Sequence, residues 1–274
     1  MTDARIQELN TLCNTFRKEV LQAIHAIQSG HPGGSLSVCE ILTVLYFEHM
    51  TVRPDAPEDP DQDRLVLTKG HAAPMLYRVL AEKGYFPVSE MDTLRRIDSN
   101  LQGHPSAHTR GIDMPSGPLG IGLGAAQGMA LGMKLKGINR YAYAVMGDGE
   151  LDEGAVWETA MSAPKFGLNN LIAIVDRNHV QLDGTVDDIM PTEPLAEKWK
   201  SFGWNVIECD GHNVAALDAA IALAKTERTR PSVIIADTVK GKGVSFMEGK
   251  NTWHGKAISD EDLAKALEEL GGAN

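Results

Sequence analysis

The amino-acid sequence predicts an α/β fold in which a mostly parallel sheet carries helices on both faces. Two kinds of segment support this prediction. Apolar residues three and four positions apart are typical of amphipathic helices, and short apolar runs that end at turn residues are typical of buried strands. The two kinds alternate along the chain, which favours parallel βαβ units. We expect a single domain over residues 1–274, because no internal repeat or low-complexity tract interrupts the sequence.

The expected elements follow from local patterns in chain order. Apolar residues from Ile6 to Ile27 recur in steps of three and four, so the first helix is expected over residues 2–28, and the HPGG that follows is expected to be a loop. Further helices are expected over residues 37–47, 72–83, 89–96, 123–137, 155–166 and 214–226, with a last helix capped by Ser259. Strands are expected in the RLVL run and over residues 141–146, 171–176, 204–209 and 233–237.

Charge and cysteine content narrow the class of function. Lysine and arginine number 26 against 37 acidic residues, a net charge of -11, which argues against a nucleic acid or an anionic membrane as the main partner. Cys13, Cys39 and Cys209 show no CxxC spacing, which favours a reducing compartment. The first ten residues are polar and no apolar run reaches membrane length, so we expect a cytoplasmic protein.

Two polar side chains follow apolar runs that are expected to be strands. Asp148 and Asn178 each lie two positions after such a run, and their separation, 178 minus 148, is 30 residues, about one βαβ unit. If the two strands are neighbours, both side chains emerge at the edge of the sheet where ligands of parallel sheets bind. A carboxylate and an amide oxygen at that edge suit Mg²⁺ or Ca²⁺ rather than Zn²⁺.

The same Gly-Asp-Gly turn could receive a diphosphate. A helix expected to begin near Glu153 offers free N–H groups to an anion, while Gly147 and Gly149 allow close approach of the backbone. A bound cation would make the local electrostatic potential positive, so that this acidic chain could bind an anion there. The alternative is a solvated turn, since Gly and Asp are ordinary turn residues, and with Asn178 taken into account both interpretations stay open. Lys242 could attract a phosphate or be a solvated loop lysine.

Several motifs resemble those of the transketolase family, and they occur in the same order. They are SGHPGGSLS, LTKGHA, GHP, SGPLGIGLGAAQGMALG, GDGELDEGAVWE with NLIAIVDRNHVQLDG, and KGKGVSFMEGKNTWHG. The resemblance extends from Leu12 to Gly255. It implies the thiamine diphosphate-binding fold, the cofactor thiamine diphosphate with Mg²⁺ or Ca²⁺, and transfer of a two-carbon ketol unit from a ketose phosphate to an aldose.

The resemblance also implies which residues bind the cofactor and its metal. The metal ligands would be the carboxylate of Asp148, the side chain of Asn178 and the backbone carbonyl of Val180. The cofactor contacts would come from His71, Gly117, Leu119, Gly149, Asn178 and His254.

Catalytic and substrate-binding roles fall, by the same resemblance, on histidines and one acid. His31 and His254 match residues that contact substrate hydroxyls and shuttle protons, His104 matches one near the donor's hydroxyls, and His71 matches one beside the cofactor phosphates. Imidazoles titrate near neutral pH, which suits removal of a proton from the C3 hydroxyl of a ketose and its return to an aldehyde. Glu153 would contact its counterpart on a second copy of the chain.

The family's usual chain is far longer than this one. Its later part carries the domain that binds the aminopyrimidine ring and most groups for the substrate phosphate, and no such sequence follows Gly255. The resemblance therefore implies the amino-terminal subunit of a split transketolase, which needs a carboxy-terminal partner subunit in a two-plus-two heterotetramer. Two alternatives remain: the α subunit of a 2-oxo-acid dehydrogenase and a non-catalytic module that binds thiamine diphosphate. The two GHP motifs weigh against the first, and the retained histidines weigh against the second.

Overall fold

A five-stranded sheet forms the centre of residues 1–271, the part of the chain that the computed structural model describes. The strands are β1 (Arg64–Leu67), β2 (Ala142–Gly147), β3 (Leu171–Arg177), β4 (Asn205–Asp210) and β5 (Ser232–Asp237). Their order across the sheet is β1-β2-β3-β5-β4, and each neighbouring pair is parallel. The predicted fold class is therefore confirmed. Residues 272–274, the end of the expected domain, lie outside the described residues.

Helices surround this sheet. The α-helices of residues 1–271 are α1 (Asp3–Ile27), α2 (Pro32–Ser37), α3 (Cys39–Val44), α4 (Ala73–Glu82), α5 (Gly122–Leu135), α6 (Gly154–Lys165), α7 (Val186–Ile189), α8 (Leu195–Ser201), α9 (Val214–Ala224) and α10 (Asp260–Glu269). Shorter 3₁₀ segments lie at Gly70–Ala72, Val88–Thr93, Gly149–Asp152 and Asn251–Trp253, and a π-helical turn lies at Leu45–His49.

The helices cover both faces of the sheet because successive strand residues point to opposite sides. In β2, Tyr143 and Val145 share a buried cluster with residues of α1, α3, α4 and α9. Ala144 and Met146 belong to a second cluster with residues of α5, α6 and α8. The central strands are thus buried on both faces, which explains why they occur in the sequence as continuous apolar runs.

The HPGG segment is a helix rather than the expected loop. Helix α2 is buried over its whole length, and its first residue is a proline, which the first turn tolerates because that N–H has no helical partner. The glycines serve close packing. A Cβ at Gly33 would lie 2.9 Å from the carbonyl oxygen of Trp253, and one at Gly34 would lie 3.0 Å from Nε2 of His71. Glycine here indicates crowding rather than a turn.

Three other stretches differ from the sequence prediction. The helix expected over residues 89–96 is the 3₁₀ segment Val88–Thr93, which ends where Leu94 leaves helical geometry and Arg95 enters the left-handed region, with φ of 58°. The helix expected over residues 37–47 divides into α3 and the π-helical turn. Helices α7 and α8 were not expected, because four and seven residues are too few for a clear helical period.

Two further features of residues 1–271 concern helix length and the cysteines. None of their helices combines the length and the apolar character needed to cross a bilayer. Cys13, Cys39 and Cys209 are free thiols.

Candidate active site

The three residues that the resemblance gives as metal ligands lie together at the carboxyl edge of the sheet; we call Asp148, Asn178 and Val180 the strand-end site. Asp148 directly follows β2 and Asn178 directly follows β3, and these strands are neighbours in which Gly147 pairs with Asp176. All three line a cavity of about 190 Å³. The condition set by the sequence prediction, that the two strands be neighbours, is therefore met by β2 and β3.

Asp148 is a buried carboxylate whose hydrogen bonds come from backbone. One oxygen accepts the N–H of Gly149 at 2.9 Å, and the other accepts the N–H of His179. Burial, followed by the negative charge of Asp176, raises the pKa of Asp148 to about 6. A cation beside this carboxylate would offset the cost of burying its charge.

Lys240 completes the polar lining beside the strand-end site. Its Nζ donates to the carbonyl oxygen of Val180 at 2.9 Å and lies 2.9 Å from Nδ1 of His254. Burial, followed by the positive charge of Lys69, lowers the pKa of Lys240 to about 8. Lys242, the KGKG lysine that could attract a phosphate or be a solvated loop lysine, is partly exposed and lies 3.7 Å from Glu248.

A buried ion pair stands behind the strand-end site. The ammonium of Lys69 pairs with the carboxylate of Asp176, and both side chains are almost fully buried. Asp176 also accepts the hydroxyls of Ser37 and Thr238. Burial favours the neutral acid, yet the Lys69 ammonium and these hydrogen bonds together hold the pKa of Asp176 below its usual value. The pair joins β3 to α2 and to the ends of β1 and β5.

Glu150 organises the backbone on the other side of the cavity. Its buried carboxylate accepts the N–H of Gly120 at 2.8 Å, the N–H of Gly147 at 3.3 Å and the hydroxyl of Thr68. Burial raises its pKa. The contacts tie the loop that contains Gly117 and Leu119 to the ends of β1 and β2.

Four histidines from separate segments meet beside the cavity; we call His31, His71, His104 and His254 the histidine cluster. The ring centroid of His31 lies 5.4 Å from that of His71, 5.9 Å from that of His104 and 5.5 Å from that of His254. The His71 and His254 centroids are 4.9 Å apart. His71 and His254 line the cavity directly, so the cluster and the strand-end site share one space.

The histidine cluster is held in the neutral form. Burial, followed by nearby positive groups, lowers the pKa of His31 to about 4 and that of His254 to about 3. Burial also lowers the pKa of His71 and, with Arg95 as the next cause, that of His104. Nδ1 of His31 is buried and has no hydrogen-bond partner among residues 1–271. Neutral imidazoles with a free nitrogen can accept or hold a proton.

The remaining predicted site residues lie at different distances from this space. Leu119 and Gly149 line the cavity. Gly117 lies beside the ring of His104, where a Cβ would come 3.6 Å from Cδ2. Glu153 is exposed at the start of α6 and does not line the cavity, so the described chain does not bring it together with the histidines.

Comparison with known proteins identifies the family. The family model described as "Transketolase, thiamine diphosphate binding domain" matches residues 9–274. The chain belongs to the transketolase family. The predictions of family, fold and transferase class are thereby confirmed, and the transketolase resemblance takes precedence over the 2-oxo-acid dehydrogenase alternative.

Transketolase relatives include proteins of about the same length as this chain. It is 46% identical over 264 residues to the 6-deoxy-6-sulfo-D-fructose transketolase subunit SqwG of Clostridium sp. (strain MSTE9), with 96% of each chain covered. It is 41% identical over 255 residues to an apulose-4-phosphate transketolase subunit of Actinobacillus succinogenes, with 93% of this chain and 92% of that protein covered.

Solved transketolases share the fold over a much longer chain. The crystal structure of transketolase from Campylobacter jejuni matches with a TM-score of 0.91 and 31% sequence identity. The match covers 99% of this chain but only 43% of that one.

Several polar residues of this transketolase chain could not be recognised as site residues from the sequence. Lys69, Glu150, Asp176 and Lys240 each lie within a segment that was expected to be a strand, a turn or a loop. The signal that could have found them is a charged residue directly beside an apolar run, because such a residue is buried with the strand and needs a partner.

Proposed function

We propose that this chain is the cofactor-binding subunit of a split transketolase. With a partner subunit it transfers a two-carbon ketol unit from a ketose phosphate to an aldose. One observation supports the proposal above all: the strand-end site and the histidine cluster open onto the same cavity. A molecule held by its diphosphate at the first would present its reactive ring to the second.

The donor set of the strand-end site fits a hard divalent cation, Mg²⁺ or Ca²⁺. It offers a carboxylate, an amide oxygen and a backbone carbonyl, all of them oxygen ligands that these ions prefer. Residues 1–271 contain no cluster of three or more His, Cys, Asp or Glu side chains suited to a metal, so the diphosphate itself and water would have to complete the shell. Gly149, Lys240 and His71 would hold the diphosphate, and Gly117, Leu119 and His254 would contact the rest of the cofactor.

The histidine cluster would handle protons of the sugar. Thiamine diphosphate, when bound, supplies a thiazolium ring that stabilises a carbanion at the former carbonyl carbon. His31 and His254, neutral at pH 7, would accept the proton of the C3 hydroxyl of a ketose and return it to the oxygen of an aldehyde. His104, at the outer edge of the cluster, would hold a donor hydroxyl. These roles need no charged imidazole in the resting site.

A carboxy-terminal partner subunit is part of the proposal. The chain spans 43% of a solved transketolase, and relatives of matching length are named as subunits. The cavity, at about 190 Å³, is smaller than the about 300–1,000 Å³ usual for small-molecule sites, as expected of half a site that a second chain closes. We further propose that two copies of this chain meet across the exposed Glu153, giving a heterotetramer in the cytoplasm.

The names of the relatives point to an anionic sugar as substrate. They specify a ketose that ends in a sulfonate and one that ends in a phosphate. The proposed donor of this chain is accordingly a ketose with a tetrahedral oxyanion at its end, a phosphate in the first instance.

Calorimetry and a reconstituted assay test the proposal. Thiamine diphosphate should bind the full chain with Mg²⁺ or Ca²⁺, and binding should disappear with a chelator. Ketose phosphates should turn over only when the carboxy-terminal subunit is present, and 2-oxo acids should be poorer donors. Binding without turnover with any partner would instead establish a non-catalytic module. Turnover by the single chain would overturn the split architecture.

A further inference from the structure

Arg95 is held beside the histidine cluster by an unusual backbone conformation. Its φ is 58°, in the left-handed region that non-glycine residues seldom enter. Its N–H donates to the carbonyl of Leu101 at 2.7 Å, which closes the loop between residues 95 and 101. Such conformations persist where the surrounding structure enforces them, and they are enriched at ligand sites.

The guanidinium of Arg95 lies against the segment that carries His104. A Cβ at Gly103 would come 2.8 Å from Cζ of Arg95, so the guanidinium packs directly against the backbone of Gly103. Within residues 1–271, the guanidinium has no hydrogen-bond acceptor and no carboxylate partner. The buried arginines Arg17 and Arg78, by contrast, each pair with a carboxylate. Arg95 is thus a partly buried cation whose donors are free.

Positively charged side chains lie at two opposite ends of the histidine cluster. Lys240 lies at the end that faces the strand-end site, and the charge of Lys69 is neutralised by Asp176. Arg95 lies at the other end, where it is a cause of the lowered pKa of both His31 and His104. No carboxylate contributes to the shift in the pKa of His31 or of His104. Arg95 therefore places a positive charge at this end of the site in a chain whose net charge is -11.

We propose that Arg95 is a substrate-binding residue whose guanidinium binds the phosphate or sulfonate end of the sugar. The proposal rests on the proposed function and adds a group to it, because recognition of this anion was expected mainly on the partner subunit. A planar guanidinium with free donors matches two oxygens of a tetrahedral oxyanion, which a lysine cannot do as well. The diphosphate of the cofactor is drawn to the opposite end by the strand-end site and Lys240.

The test compares Arg95→Gln with Arg96→Gln, which removes the same charge from the exposed neighbouring residue. The reconstituted enzyme is assayed with D-fructose 6-phosphate and with D-fructose as donors. We expect Arg95→Gln to raise the KM for the phosphorylated sugar by at least about tenfold, the range for loss of a hydrogen bond to a charged group. The KM for D-fructose, the affinity for thiamine diphosphate and the melting temperature should change little. Arg95→Lys should restore part of the loss.

A binding measurement on the full chain keeps the test independent of turnover. The chain, loaded with thiamine diphosphate and Mg²⁺, is titrated with D-fructose 6-phosphate in a calorimeter, and the wild-type protein should bind it at least about tenfold more tightly than Arg95→Gln does. Equal binding by both, or an equal rise in KM for D-fructose and its phosphate, would overturn the assignment of Arg95. If no ketose turns over with any partner, the proposed function fails, and the titration still decides the role of Arg95.

Discussion

The strand-end site and the histidine cluster share one cavity but are built in different ways. The strand-end site stands on two hydrogen-bonded neighbouring strands and is backed by the buried pair of Lys69 and Asp176. The histidine cluster comes from four separate segments whose rings contact one another, and Nδ1 of His31 has no partner within residues 1–271. We therefore expect changes behind the strand-end site to affect folding and cofactor affinity, and changes at His31, which is not among the proposed cofactor contacts, to affect turnover.

The largest effect is expected from breaking the buried pair behind the strand-end site. Asp176→Asn leaves the Lys69 ammonium buried without its counter-charge, so the free energy of unfolding should fall by about 3–5 kcal/mol. Urea denaturation of the full chain measures it. Asp55→Asn, at an exposed position, is the matched control, and Lys69→Met combined with Asp176→Asn should recover part of the loss. A loss no larger than that of the control would show that the pair does not support this edge.

A change at His31 should leave folding and cofactor binding nearly intact. His31→Asn removes the proposed proton acceptor, so kcat of the reconstituted enzyme should fall by about 100-fold or more. Calorimetry should give an unchanged affinity for thiamine diphosphate, and His108→Asn, an exposed histidine outside the cluster, should keep full activity. If His31→Asn weakened cofactor binding as much as it lowered kcat, the division between the two regions would be wrong.

Asp148→Asn, in contrast to His31→Asn, should lower the affinity for the cofactor. The amide keeps the shape of the side chain but removes the charge that would face the cation, so the affinity for thiamine diphosphate with Mg²⁺ should fall by about 10–100-fold. Calorimetry of the full chain measures it, with Asp183→Asn in the exposed loop nearby as the control. Unchanged affinity in Asp148→Asn would remove this carboxylate from the proposed metal site.

A last difference is expected in the pH dependence of stability. The pKa of His31 is lowered to about 4 and that of His254 to about 3, so the folded protein takes up protons on these rings less readily than the unfolded chain does. Their contribution to stability is therefore complete above about pH 6.5, the ordinary value for histidine, and is lost as the pH falls toward 4. The urea midpoint should decline less steeply over that range in the double variant His31→Gln and His254→Gln. Parallel curves would mean that burial does not keep these rings neutral.

The sequence was sufficient to predict the strands, the fold class and the positions of Asp148 and Asn178. These depend on apolar runs and on the rule that the ends of neighbouring parallel strands meet at one edge, both of which can be recognised locally. The roles assigned to the histidines came instead from family resemblance, because nothing in the local pattern brings His31, His104 and His254 together.

Contacts between distant residues were not predictable in this way. Lys69 and Asp176 are 107 positions apart, and each appears in the sequence as a polar residue at the end of a strand. Whether such a residue faces solvent or a buried partner depends on the order of strands across the sheet. Arg95 lies within a stretch expected to be a helix, and its left-handed backbone conformation could not be recognised from the sequence.

The crowding at α2 has a consequence for anyone who wishes to alter the specificity of this protein. A library that varies Gly34 would press on the ring of His71, since even a Cβ there would lie 3.0 Å from Nε2. In the single chain, Leu119 and Leu182 line the same cavity with 37% and 59% of their surface exposed, so larger or more polar replacements there would meet the proposed partner subunit rather than the core of this fold. Substitutions are better introduced at these two loop positions, while the sequence of α2 is kept unchanged.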